Sequence, residues 1–211
     1  MPEQQYGSFS NLRGFVRQPK ARERCDFCGT GLLTQHEHLI DPNTRKVVCA
    51  CTACAILFPS QGPTRYKRLP KRIKLLNNFK ITDAQWDSLL IPIGIAYFVN
   101  SSVEDRVLSF YPSPAGATES LLEFEAWSEI AHENPALEAM EPDIEALLVN
   151  RLDHARTGSK YYLAPVDKCY ELVGLIRSNW RGLSGGSEVW EKIRQFFEEL
   201  QDRSVPERPN A

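Results

Sequence analysis

The sequence lacks any apolar run long enough to cross a bilayer. Its longest, Leu89 to Val99 (LLIPIGIAYFV), has 11 residues and contains Pro92, whereas a spanning helix needs about 20. The opening stretch, MPEQQYGSFSNLRGF, has no apolar segment behind a basic start, so no secretory leader is expected and the chain reads as cytoplasmic. Also missing are the GxSxG, HExxH and dinucleotide-fingerprint signatures, a Walker lysine, internal repeats and low-complexity tracts. His132 and His154 have no nucleophile pattern near them, so the expectation is a non-enzymatic protein. Cysteine is scarce outside one segment: five of the six lie between Cys25 and Cys54, and Cys169 stands alone on the apolar side of a helical pattern. A disulfide framework would spread its cysteines along a short secreted chain. Clustering points to metal.

The cluster has two paired clips, Cys25-Asp-Phe-Cys28-Gly29 and Cys51-Thr-Ala-Cys54. Two residues between thiolates let one tight turn present both sulfurs to a single ion, and Gly29 tolerates the backbone that follows. Between the clips, HLI-DPNTR-KVV reads as a hairpin whose returning strand delivers the second pair. Four thiolates, Cys25, Cys28, Cys51 and Cys54, would close a tetrahedral structural site, with one zinc as the expected ion. Iron in a rubredoxin-like site is the less favoured alternative: Ala55, not glycine, follows Cys54, and glycine there eases the N–H to sulfur bonds that tune iron. On an extended strand Cys49 points to the same side as Cys51 and could replace it as ligand; a buried spectator is the preferred reading. His36 and His38 share one side of their strand and face Cys49; solvated or supporting histidines are preferred over a second metal.

The remaining pattern predicts an α+β fold: a mobile tail over 1–24, a zinc-ribbon-like module over 25–60, a basic linker over 61–92, an α+β domain over 93–203 and a tail over 204–211. In the tail, Phe9 or Phe15 is a candidate for docking. Thr82 or Asp83 should cap a helix. IPIGIAYFV and VLSFY, parted by a polar turn, read as a hairpin, with PSPAGATES as a loop after it. Helices are expected over LLEFEAWSEIAHEN, over PDIEALLVNRL with Pro142 at its first position, over VDKCYELVGLIRSNW and over SEVWEKIRQFFEELQ. YYLAPV reads as a strand.

Charge is divided. Residues 1–80 carry 14 Lys/Arg against 5 Asp/Glu, and residues 81–211 carry 11 against 22. Either the basic half meets nucleic acid or an acidic partner, or the two halves attract each other. RYKRLPKRIK (65–74) has six basic residues in ten; Pro70 disfavours a recognition helix, so nucleic acid is the lesser reading. Arg181 beside the glycine turn 182–186 is a weak candidate for an anion site at a helix start, against Ser187 acting as a simple cap.

The motifs CDFCG, HEHLID, CACTAC, IPIGIAYFVNSS, FYPSPAGATES, DIEALLVNR and LVGLIRSNWRGLSGGSEVW, spread over 25–200, resemble an uncharacterised zinc-ribbon-headed family whose genes lie near those of nickel–iron hydrogenases. The resemblance implies an accessory protein that aids hydrogenase assembly or maturation, with a hydrogenase subunit or maturation factor as partner. It adds no catalytic residues.

Overall fold

Tyr97 and Phe98 are adjacent and both buried, yet they belong to two different cores. Their strand has a packed layer on each face, and the fold is built around that arrangement. The computed structural model describes residues 23–60, 65–122 and 124–206.

The strands and helices follow in chain order: β1 (Glu37–Asp41), β2 (Lys46–Ala50), α1 (Thr52–Leu57), β3 (Lys67–Arg68), β4 (Lys74–Leu75), α2 (Asp83–Ser88), β5 (Ile95–Ser101), β6 (Arg106–Ser113), β7 (Gly116–Ser120), α3 (Phe124–Glu133), β8 (Glu145–Asn150), α4 (His154–Thr157), β9 (Lys160–Pro165), α5 (Val166–Asn179), α6 (Gly186–Asp202) and β10 (Val205–Pro206). Short 3-10 turns cover Phe58–Ser60 and Pro135–Ala139. The class is α+β, as expected. A seven-stranded sheet runs β10–β4–β9–β8–β5–β6–β7, antiparallel except for β10 against β4, and a three-stranded sheet runs β2–β1–β3.

One face of the large sheet presents Tyr97, Val99, Leu108, Phe110, Leu148 and Tyr162 to α5 and α6. The other presents Phe98, Leu147, Val149 and Leu163 to Trp86 of α2, and to Trp127 and Ile130 of α3. Each buried side chain of this size contributes on the order of 1.5–3 kcal/mol before entropy.

The hairpin over 95–113 forms as read. Thr82 caps α2 in a reciprocal box: Gln85 N–H donates to Thr82 Oγ1 at 3.2 Å, and Thr82 N–H donates to Gln85 Oε1 at 2.9 Å. Four expectations are corrected. PDIEALLVNRL is not a helix but contains β8, in the middle of the sheet. Ala146 and Leu148 enter one core, Leu147 and Val149 the other, and a strand buried on both faces shows an unbroken apolar run that mimics a buried helix. The PSPAGATES loop is in part a second hairpin, with β7 returning along β6. Much of the segment read as a linker is structured: it supplies β3, β4 and α2, and buries Leu69, Ile73, Leu76, Phe79, Ile81 and Trp86. At α6, Gly185 takes the cap position and no side chain caps, so Ser187 does not. The N-terminal tail and its Phe9 and Phe15 lie outside the described residues, as do 207–211; Val205 and Pro206 form β10.

The small sheet has two different faces. Leu39, Val48 and Ala50 pack on Cys25, Cys54 and Ala55 in a core of their own. On the opposite face Ile40 and Val47 join the core of the large sheet near α5. His38 and Cys49 alternate onto that same second face.

Candidate metal centre

The first clip is a tight turn. Gly29 N–H donates to the Cys25 carbonyl at 2.9 Å and Cys25 N–H to the Thr30 carbonyl at 2.9 Å, with Gly29 in the left-handed region at φ 73°. The second clip opens a helix: Cys51 stands at the cap position of α1 and Cys54 in its first turn. Asp26 ties the two together. Its N–H donates to the Cys49 carbonyl at 2.9 Å, and its carboxylate accepts from the Cys49 N–H at 2.6 Å.

Folding brings the four sulfurs within 4.8 Å of one another, with Cys28 Sγ and Cys51 Sγ 3.7 Å apart. Four thiolates about 2.3 Å from one zinc would be separated by roughly 3.8 Å. All four cysteines read from the sequence therefore meet at one point in a geometry that suits a tetrahedral metal ion. Cys25 and Cys54 are buried, Cys51 is half-buried and Cys28 is exposed.

The thiols compete for charge. Burial opposes the Cys25 thiolate, but N–H donors from Cys51, Cys28 and Phe27 outweigh it and bring Cys25 down to about 6. Burial, followed by the neighbouring thiols of Cys51, Cys25 and Cys28, drives Cys54 up to about 12. A divalent cation held by all four would relieve that conflict, and its binding would be coupled to proton release.

Cys49 stands apart from this group. It pairs with His38 across β1 and β2, and its sulfur lies within 4.8 Å of ring nitrogens of both His36 and His38. It is half-buried, not the buried spectator expected. Nor are the histidines solvated: the His36 side chain is 7% exposed and that of His38 29%. His36 Nδ1 lies 3.0 Å from the Leu33 carbonyl, and His38 Nδ1 lies 2.6 Å from Asp167 Oδ2. Asp167, on α5, is 129 residues from His38; no local pattern could have pointed to it.

The other candidates fall elsewhere. Cys169 is buried in α5, and burial pushes its thiol up. Arg181 sits beside a turn closed from within: Trp180 Nε1–H donates to the Gly182 carbonyl at 2.9 Å, and Trp190 Nε1–H to the Ser184 carbonyl at 3.0 Å. His154 Nδ1 lies 2.7 Å from Ser159 Oγ and its Nε2 lies 3.3 Å from Asp83, a contact not legible in the sequence. That Asp83 carboxylate is 75% exposed and also meets Arg151, so water screens the trio. Of the six basic residues in 65–74, five meet carboxylates: Arg65 with Asp41, Lys67 with Asp143, Arg68 and Lys71 with Glu37, and Arg72 with Glu141 and Glu145.

No helix among the described residues is long and apolar enough to cross a membrane. No curated protein and no solved structure matches the chain. A family model does match, over residues 24–204, from the residue before the first clip to just beyond α6; it describes a family of unknown function, DUF5947, and the chain belongs to that family.

Proposed function

We propose that the chain is a zinc-stabilised, non-enzymatic accessory protein that acts through protein–protein contacts in the assembly or maturation of a nickel–iron hydrogenase. The observation that carries the structural part is the convergence of four cysteine sulfurs within 4.8 Å of one another. Such a shell leaves no open position for substrate, and its metal holds a small module together. The hydrogenase part rests on the family resemblance of the motifs over 25–200.

Leu33, Ile56 and Leu57 of the module are exposed and would offer apolar surface to a partner. The basic segment 65–74 is largely occupied by carboxylates of its own chain, Lys67 and Arg72 by those of the acidic half, which argues against a nucleic-acid surface.

Metal analysis of the purified chain tests the ion: zinc in a colourless protein is expected, and a coloured iron form would overturn the structural role in favour of electron transfer. Affinity capture from cells producing the hydrogenase tests the partner. A hydrogenase subunit or maturation factor should be recovered, and Leu57→Asp should weaken its recovery. If neither class of protein is recovered, the hydrogenase reading fails.

A further inference from the structure

The second cluster contains an electrostatic puzzle. The Leu33 carbonyl can only accept a hydrogen bond, so His36 must carry its proton on Nδ1. His38 likewise directs Nδ1 at the Asp167 carboxylate. With both imidazoles neutral, each has committed its one N–H and presents a bare lone pair on Nε2. Those two Nε2 atoms face each other at 3.1 Å. Two lone pairs at that distance repel unless a cation lies between or beside them.

The third member of the cluster shows which cation fits. Cys49 Sγ lies within 4.8 Å of the histidine ligand atoms, so two borderline nitrogens and one soft sulfur converge. Two imidazole nitrogens each about 2.0–2.1 Å from a tetrahedral zinc would be separated by roughly 3.3–3.4 Å, close to the separation present. The surroundings are those of a metal site too. A ligating histidine characteristically donates its other ring N–H to a carboxylate or a backbone carbonyl, and His38 and His36 show one case each. The ligands sit on a rigid frame: His38 and Cys49 are directly paired on β1 and β2, and His36 precedes His38 by one pleat repeat.

We propose that His36 Nε2, His38 Nε2 and the Cys49 thiolate form a second metal site, for a divalent ion of the zinc type, oriented by Asp167 and the Leu33 carbonyl. Unlike the four-thiolate centre, this site is open. Three protein ligands leave one tetrahedral position, and a cavity of about 470 Å³ adjoins the site, lined by His36, His38, Asp167, Lys71, Lys168 and Arg203 among others. Its wall also carries Glu23 and Glu171, and Lys71 and Lys168 are paired with Glu37 and Glu171, so water suits the fourth position. Because Asp167 belongs to α5, an ion here would also join the small module to the large sheet's helical layer. The proposal is independent of the hydrogenase reading.

The test uses the full chain loaded with one equivalent of zinc, then titrated with Co²⁺ while thiolate-to-cobalt absorption is followed and bound metal is counted. Wild type should take up a second ion and develop the thiolate band. Cys49→Ser and His38→Gln should each keep the first ion and lose the second, and Asp167→Ala should weaken the second by about 10- to 100-fold. If zinc-loaded wild type takes up no second ion, the proposal is overturned by that measurement alone, and the two histidines share a proton. It is equally overturned if Cys49→Ser and His38→Gln both bind the second ion as wild type does.

Discussion

Lys67 and Asp143 are 76 residues apart in the chain, and Lys67 Nζ lies 2.5 Å from Asp143 Oδ2. The same carboxylate accepts from Ser102 N–H at 2.8 Å and from Ser102 Oγ–H at 2.5 Å, so one buried aspartate joins the basic segment, the β5–β6 turn and the start of β8. Asp143 is held at φ 70°, a conformation that aspartate and asparagine tolerate better than alanine does. Asp143→Ala should therefore cost about 2–4 kcal/mol, from lost hydrogen bonds and backbone strain. Asp143→Asn, which keeps an acceptor and the turn, should cost less. Urea unfolding of the two variants measures the order; equal losses would contradict it.

The pH dependence of that difference has a definite sign. Burial opposes the Asp143 charge, but hydrogen bonds from Lys67 and Ser102 outweigh it and hold the carboxyl below the ordinary aspartate range. A depressed value means that the stabilisation is fully present above the unfolded-state pKa, about 3.9, and is lost as pH falls through the folded-state value. The stability gap between wild type and Asp143→Asn should be flat from pH 7 to about 5 and shrink as the pH falls below about 4. Taking the difference cancels the acid-induced metal loss common to both proteins. A gap that widens on acidification would refute the assignment.

Metal removal should act on both halves unequally. The four-cysteine core is small, whereas the large sheet has two packed faces of its own. A strong chelator should dissolve the module and leave a cooperative transition for the large sheet. That transition should occur at a lower temperature, because Ile40, Val47 and Leu69 contribute to its core from the basic half. Losing several kcal/mol lowers Tm by roughly 2–4 °C per kcal/mol in a chain of this size. Tryptophan emission reports it cleanly, since all four tryptophans follow the cysteine cluster. An unchanged Tm would mean that the halves do not support each other.

Two glycines should respond in opposite directions. Gly185 has φ 85°, and an added Cβ would lie 2.8 Å from Val189 Cγ1 and 3.1 Å from the Trp180 ring. Val189 is fully buried and has nowhere to move, so Gly185→Ala should destabilise by about 1–3 kcal/mol. Gly174 lies within α5 with open space around its Cβ position. Gly174→Ala should stabilise by about 0.5–1 kcal/mol, because a flexible residue is replaced inside a helix. Thermal melts of both variants decide it.

The features legible before folding are local. The two cysteine clips, the hairpin between them, a cap for α2 at Thr82 or Asp83, the 95–113 hairpin and the amphipathic helices α5 and α6 all depend on residues a few positions apart. Turn geometry and periodicity act over that range, so these elements were legible. Which faces meet was settled by packing between distant segments. The apolar run of β8 is compatible with a helix until β5 and β9 bind its two edges and a core covers each face. The charges of 65–74 look like a surface for a partner until the fold brings up Asp41 and Glu37 from β1 and Asp143, Glu141 and Glu145 from the other half of the chain. An extended strand would put Cys49 on the same side as Cys51, but the strand ends at Ala50 and the chain turns into α1. Cys51 thereby joins the four-sulfur group, while Cys49 stays with the histidines. The residue that completes their surroundings, Asp167, comes from a helix that packs there because Cys169, Leu172 and Ile176 bury themselves against the sheet; burial of apolar surface, which carries no address in the local sequence, set that meeting.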